Sequence, residues 1–326
     1  MDDSLFTPQD TAGLESAAGA TPPPLEPPPP PTPPTSTQEA GTPSNPGCGG
    51  SCTGSGHGAA AEVTSPSGEA GSQFVYAIGR IDARIPNLGV EKEIAQAIGR
   101  TAPANLTDRQ ALFSVLTEPQ NRYLARQMCY VLETQGIATY ILLPRDPADY
   151  RLLLEGLGAS PREMNLQVVI GLRGPIAPPD LCNGLSLPLV AFDQIYSFDA
   201  DSLVQSLPKP DSVDEEPFRA AAEELFTRVM QIADNAGSSD EHRALNYLAV
   251  RYPQIYAASA EAFTKGRTLT SIETRTSRLS GARKILDVLF SYTDRQTDVT
   301  EKSFVRIDVT EEFPFLVTKL SPYYDR

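Results

Sequence analysis

The sequence predicts a mixed α+β protein: an α/β half, a three-helix segment and an antiparallel β half, preceded by a disordered tail rich in proline and glycine. Three observations predict it. Helix-like and strand-like patterns alternate from Gln73 to Leu207, three helix patterns follow one another from Pro208 to Gly266, and the chain ends in β-rich segments. Residues 1–72, by contrast, are dominated by Pro, Gly, Ser, Thr and Ala, with too few burial-competent side chains to offset the entropy of ordering. The implied divisions are 1–72, 73–207 and 208–326.

Within the tail, Thr21–Thr35 (TPPPLEPPPPPTPPT) predicts a polyproline II rod of about 3.1 Å per residue. It reads as a spacer first and as a ligand for an aromatic groove second. FVYAIGRIDARIP, opening at Phe74, is strand-like and bounded by Pro86. Leu88–Gly99 has Val90, Ile94, Ala97 and Ile98 on one helical side, and Leu112–Leu116 suits a short helix before Pro119. Asn121–Gln135 reads as a helix, with Leu124, Met128, Val131 and Leu132 at helical spacing and Gly136 as its left-handed cap. Ile137–Pro144, Leu166–Leu172 and Leu187–Phe192 have strand length and β-branched content, and Asp149–Leu157 is a further helix.

In the second half, Phe218–Asn235 predicts a long helix closed by Gly237, and Ser239 caps the next, lined by Leu245, Leu248, Ala249 and Tyr252. Pro253 starts a third, through Phe263. Ile285–Tyr292 and Phe304–Val309 form an antiparallel pair across TDRQTDVTEKS. The terminal stretch Ser303–Tyr324 holds Phe304, Val305, Ile307, Val309, Phe313, Phe315, Leu316 and Tyr323. That much apolar surface must be tied into a core or a partner, as a strand followed by a docked, irregular segment.

The net charge of −14 is uneven: no Lys or Arg precedes Arg80, and removing the eight acidic residues before it leaves −6 on the folded part. No basic stripe answers a phosphate backbone, which argues against nucleic acid. No run of roughly 18 apolar residues spans a membrane, and the acidic N-terminus is no secretory signal. The four cysteines do not form the disulfide framework of a secreted domain: Cys129 falls in the apolar stripe read as helical, Cys182 near a Pro/Gly-rich turn, and Cys48 and Cys52 in the tail. A cytoplasmic protein is expected.

Chemistry is sparse. His57 and His242 are the only histidines, one in the tail and one in a helix's first turn, so no nucleophile–imidazole arrangement is expected, and no catalytic residue or cofactor is assigned. Cys48, Cys52 and His57 could supply three tetrahedral zinc ligands, although a structural site normally takes four and a hydrophobic shell. Asp193 and Asp199, flanking QIYSF, and Glu311 and Glu312, preceding FPF, are carboxylate pairs that could do acid–base work, Asp193 or Glu312 carrying it, though strand-end carboxylates more often cap helices or take basic partners. Arg278, Arg283, Arg295 and Arg306, with Glu312, Phe313 and Phe315, form the candidate binding set, the arginines suited to a carboxylate or peptide terminus.

Three blocks carry a resemblance: FVYAIGRIDARIPNLGVEKEIAQA (Phe74–Ala97), CNGLSLPLVAFDQIYSFDADSL (Cys182–Leu203), and SRLSGARKILDVLFSYTDRQTDV with VRIDVTEEFPFLVTKLSPYY. Together they resemble the domain of unknown function at the C-terminal ends of the PatA and PatG proteins of cyanobactin biosynthesis, over Gln73–Arg326. The resemblance implies a free-standing, cytoplasmic, cyanobacterial accessory protein of ribosomal peptide maturation. It would bind a peptide substrate, a maturation enzyme or a second copy of itself, and it lacks the subtilisin-like protease domain of its relatives. The alternatives are a peptide-maturation hydrolase or isomerase using Asp193 or Glu312, and a metal- or thiol-dependent role for the tail.

Overall fold

A computed structural model describes residues 73–101, 106–158 and 165–324. The polyproline and disorder readings, and Cys48, Cys52 and His57, lie outside the described residues. The described chain falls in one compact unit, 65–326, with a mixed α+β architecture.

The first half runs β1 (Phe74–Arg84), α1 (Leu88–Thr101), α2 (Asp108–Thr117), α3 (Arg122–Gln127), β2 (Cys129–Thr134), β3 (Ile137–Pro144), α4 (Tyr150–Leu157), β4 (Asn165–Ile176) and β5 (Pro188–Asp199). Its strands do not make an open layer; they close into a barrel of order β1-β2-β3-β5-β4, antiparallel except for β3 beside β5. Side chains alternate across each strand. One face, to which all five strands contribute (Val75, Leu132, Leu142, Val169 and Phe192 among them), shares a core with Val90, Val115, Leu124 and Leu153 of α1–α4.

The second half runs α5 (Ala200–Ser206), α6 (Glu215–Met230), α7 (Asp240–Arg251), α8 (Gln254–Thr264), β6 (Arg267–Thr276), β7 (Ile285–Asp294), β8 (Thr300–Asp308) and β9 (Phe315–Tyr323). The four strands pair in sequence order, all antiparallel. Leu286, Val288, Phe290, Val305 and Ile307 meet Phe218, Leu225, Leu248 and Ile255 of the helices. The same core takes in Tyr76, Ile78, Val168 and Ile170 from the other face of β1 and β4.

The barrel seam joins the halves. β1 pairs with β4 through Gly79 and with β2 only from Arg80 onward, so each end of β1 has one edge without a neighbouring strand. At one end the Tyr76 N–H donates to the Gly237 carbonyl (2.8 Å), and the Asn246 side chain, itself bonded to Asn235, donates to the Tyr76 carbonyl (2.9 Å). At the other end the Gln167 side chain accepts from the Ile81 N–H (2.9 Å), and Arg109 donates to the Ile81 carbonyl (3.1 Å). Backbone groups buried without a ladder are thereby satisfied by side chains and a loop.

Four expectations are corrected. Asn121–Gln135 is not one helix: α3 stops at Gln127 and β2 begins at Cys129. Both faces of β2 are buried, so its apolar residues run on without strand alternation and imitate helical spacing. Gln135 and Gly136 form a two-residue hairpin turn with φ of 53° and 77°, the signature of a type I′ turn. The helix read over Phe218–Asn235 ends at Met230, and Gly237 packs on β1 rather than capping it. The terminal segment is a regular strand, β9, and the expected β pair is the middle of a four-stranded sheet. Finally, Cys129 and Cys182 form a disulfide across 53 residues, a pairing hidden in sequence because each cysteine sits in a different local pattern. No helix among the described residues is long and apolar enough to cross a membrane.

Candidate functional site

Helix α6 and the tip of the β2–β3 hairpin create a groove. Gln135 at the hairpin tip donates its side-chain amide to the Met230 and Ile232 carbonyls (2.7 and 2.8 Å), satisfying backbone acceptors at the end of α6. This bridge fixes the hairpin against the helix and leaves a cavity of about 460 Å³ beside it. Its floor is apolar, from Leu166, Ala200, Phe226 and Met230, and Arg80, Glu133, Gln135 and Gln231 rim it. A concave apolar site with a few polar groups at its edge suits a flexible ligand with apolar side chains.

A charged junction forms where the β8–β9 loop meets the barrel. Arg145, just past β3, reaches Asp193 of β5 (3.2 Å) and Glu312 of the loop (3.4 Å) with the same nitrogen. Burial pushes the Glu312 carboxyl above its usual range, with Asp193 adding to the rise and Arg145 opposing it. Behind the loop, fully buried Arg243 donates to the carbonyls of Val309 (2.8 Å), Glu311 and Glu312 (3.3 Å) and pairs with Asp240 (3.3 Å). Its guanidinium lies 5.2 Å from the Phe74 ring centroid. The junction therefore brings together the two carboxylates singled out from sequence, on either side of a guanidinium that bonds both. Chemically it is an ionic tie between loop, barrel and α7.

The remaining candidate residues do not converge. Arg283 pairs with buried Asp308 and lies 5.4 Å from the Phe315 ring centroid. Burial opposes ionisation of Asp308, yet donation from Thr310 and Arg283 outweighs it and holds that carboxyl below its usual range. Arg306 sits on the sheet face away from the helices, bonded to Asp287 (2.9 Å) and 4.7 Å from the Phe304 centroid. Arg295 lies past β7, 5.1 Å from the Phe263 centroid. Arg278 is exposed in the β6–β7 turn, and Phe313 and Phe315 are exposed at 41% and 47%. Half-buried His242 is held below its usual value by burial, and its backbone N–H is capped by Ser239.

Arg145 and Arg243 escaped sequence reading. Arg243 and Asn246, three residues apart, lie off the apolar stripe of Leu245, Leu248 and Tyr252. Only a helix enclosed on nearly all sides buries such a polar pair. The groove, assembled from five separated segments, leaves no local pattern.

Residues 212–323 match the family model described as PatG C-terminal. A solved structure described as "PatG Domain of Unknown Function" is similar in fold, with a TM-score of 0.64 at 22% identity, covering 77% of this chain and 99% of that one. No curated protein matches. The chain thus carries a PatG C-terminal-like domain.

Proposed function

We propose that this PatG C-terminal-like chain is a non-catalytic accessory module that binds an extended peptide in the groove between the β2–β3 hairpin and α6. The peptide would be a ribosomally made, cyanobactin-like precursor on its way through maturation. The observation that carries the reading is the 460 Å³ apolar groove, whose α6 wall lies within the span matched by the family model. A groove of this kind takes up apolar side chains, while Arg80, Glu133 and the two glutamines offer polar partners to the peptide backbone. The charged side chains of the junction and of the second sheet pair with one another, consistent with fold-holding rather than turnover.

Titrating synthetic precursor-peptide segments against the protein by calorimetry tests this. Thr227 is exposed at the groove, so Thr227→Arg fills it without entering the core. Affinity should fall by about tenfold or more with Tm unchanged. Peptide binding indifferent to Thr227→Arg would place recognition elsewhere, and chemical conversion of the peptide by the purified protein would overturn the non-catalytic reading.

A further inference from the structure

The connection between β4 and β5 folds back on the barrel. Its base is tied where the Ala177 N–H donates to the Leu187 carbonyl (2.8 Å). Between them Cys182, Asn183 and Gly184 run through three consecutive positive φ values (51°, 56° and 81°), turning the chain tightly. This strap lies over the outer surface of β2 and β3. Tyr130, Leu132, Tyr140 and Leu142 of those strands belong to the barrel core, so the alternating Val131 and Ile141 point the other way, and they are buried with Cys129, Ala177 and Cys182 in a cluster of their own. Leu181, Leu185 and Leu187 of the strap are only partly buried against it.

The strap therefore has little else to hold it. Two of the five buried members of its cluster are the disulfide cysteines, and its other backbone bonds (Leu181 to Pro178, Gly184 to Leu181, Leu185 to Cys182, Leu187 to Leu185) are internal turns. We propose that Cys129–Cys182 is a reducible clasp, whose opening by a dithiol releases the strap and uncovers the apolar Val131–Ile141 face. A thiolate of the dithiol attacks the Cys182 sulfur, which sits in a turn beside exposed Asn183 and Gly184. Cys129 leaves as a thiolate and takes up a proton. The second thiol of the reagent then displaces Cys182 from the mixed disulfide, so two electrons and two protons pass to the pair and the dithiol becomes a disulfide.

The test uses the full chain carrying C48S and C52S, purified without reductant, so that tail thiols cannot exchange. Hydrogen exchange is followed by mass spectrometry before and after excess dithiothreitol, with alkylation counting the thiols released. The expected result is exchange faster by about tenfold or more in 177–187 and along 130–142, with β4 and α7 unchanged. Binding of a hydrophobic dye should rise in parallel. Full reduction without faster exchange would show that the leucines alone hold the strap, and acceleration throughout β4 and α7 would mark the bond as a global staple. Either result, or two free thiols before any reductant is added, overturns the proposal. Cys182→Ser should reproduce the reduced pattern without reductant.

Discussion

Glu312 and Asp308 sit four residues apart at the end of the same strand and loop, yet their environments act in opposite directions. Glu312 is raised by burial, so the ionised form is disfavoured in the folded state. The stability it contributes is complete below the unfolded value of 4.5 and is lost as pH rises through the folded value. Asp308 is lowered, so its contribution is present above 3.8 and is lost as pH falls through its folded value. Glu312→Gln should therefore be more stable than the wild type at pH 7–8, with the difference closing towards pH 4.5, as measured by urea denaturation across pH. A variant less stable at pH 8 would show that the contact with Arg145 outweighs the burial of the charge. Asp193 and Glu312 were legible as candidates because acids beside apolar strand residues are conspicuous in sequence. Their guanidinium partner was not, because Arg145 follows an ordinary strand 167 residues before Glu312.

Turns show the same contrast at the level of the element. Gly136 and Gly237 both have positive φ, a conformation that disfavours any side chain. At Gly136 an added Cβ meets nothing within 4 Å, whereas at Gly237 it would lie 2.4 Å from the Tyr76 carbonyl oxygen and 2.5 Å from the Ala77 Cα. Gly136→Ala should cost about 1 kcal/mol. Gly237→Ala should cost roughly 3 kcal/mol or more, since β1 must shift to admit the methyl group. Equal Tm losses for the two variants would contradict this packing. Most element types were readable from the sequence: α1, α4 and α7 from apolar residues at helical spacing, and β1, β3 and β7 from strand length and β-branched content. β2 was not, because it follows α3 almost without a break and both its faces are buried, Leu132 in the barrel and Val131 under the strap, so its apolar run continues the helical spacing. The closing of the barrel also escaped, since it depends on which strands pair and not on where they lie.

For the molecule as a whole, the barrel and the second sheet share one core and one seam, so neither is expected to melt alone. Removing the residues after Thr310 deletes β9, bares the edge of β8 and takes away the Glu311 and Glu312 carbonyls bonded by buried Arg243. We expect that truncation to yield no cooperatively folded protein, seen as loss of the thermal transition in circular dichroism and collapse of amide dispersion in NMR spectra. A truncated chain keeping a native-like barrel spectrum would separate the halves. The terminal stretch announced its importance through its apolar content, and the pairing of Phe304–Val309 with Ile285–Tyr292 was legible too, whereas β9 was not, because its residues are exposed or only half-buried and leave no clean alternation.

The seam has a further consequence while the chain is being made. Tyr76 waits for Asn246, 170 residues later, before its carbonyl finds a partner. At the usual pace of translation this interval lasts on the order of ten to thirty seconds. Throughout it the first strand leaves the ribosome with an edge that neighbouring nascent copies on the same message could pair with, a hazard that grows with polysome density.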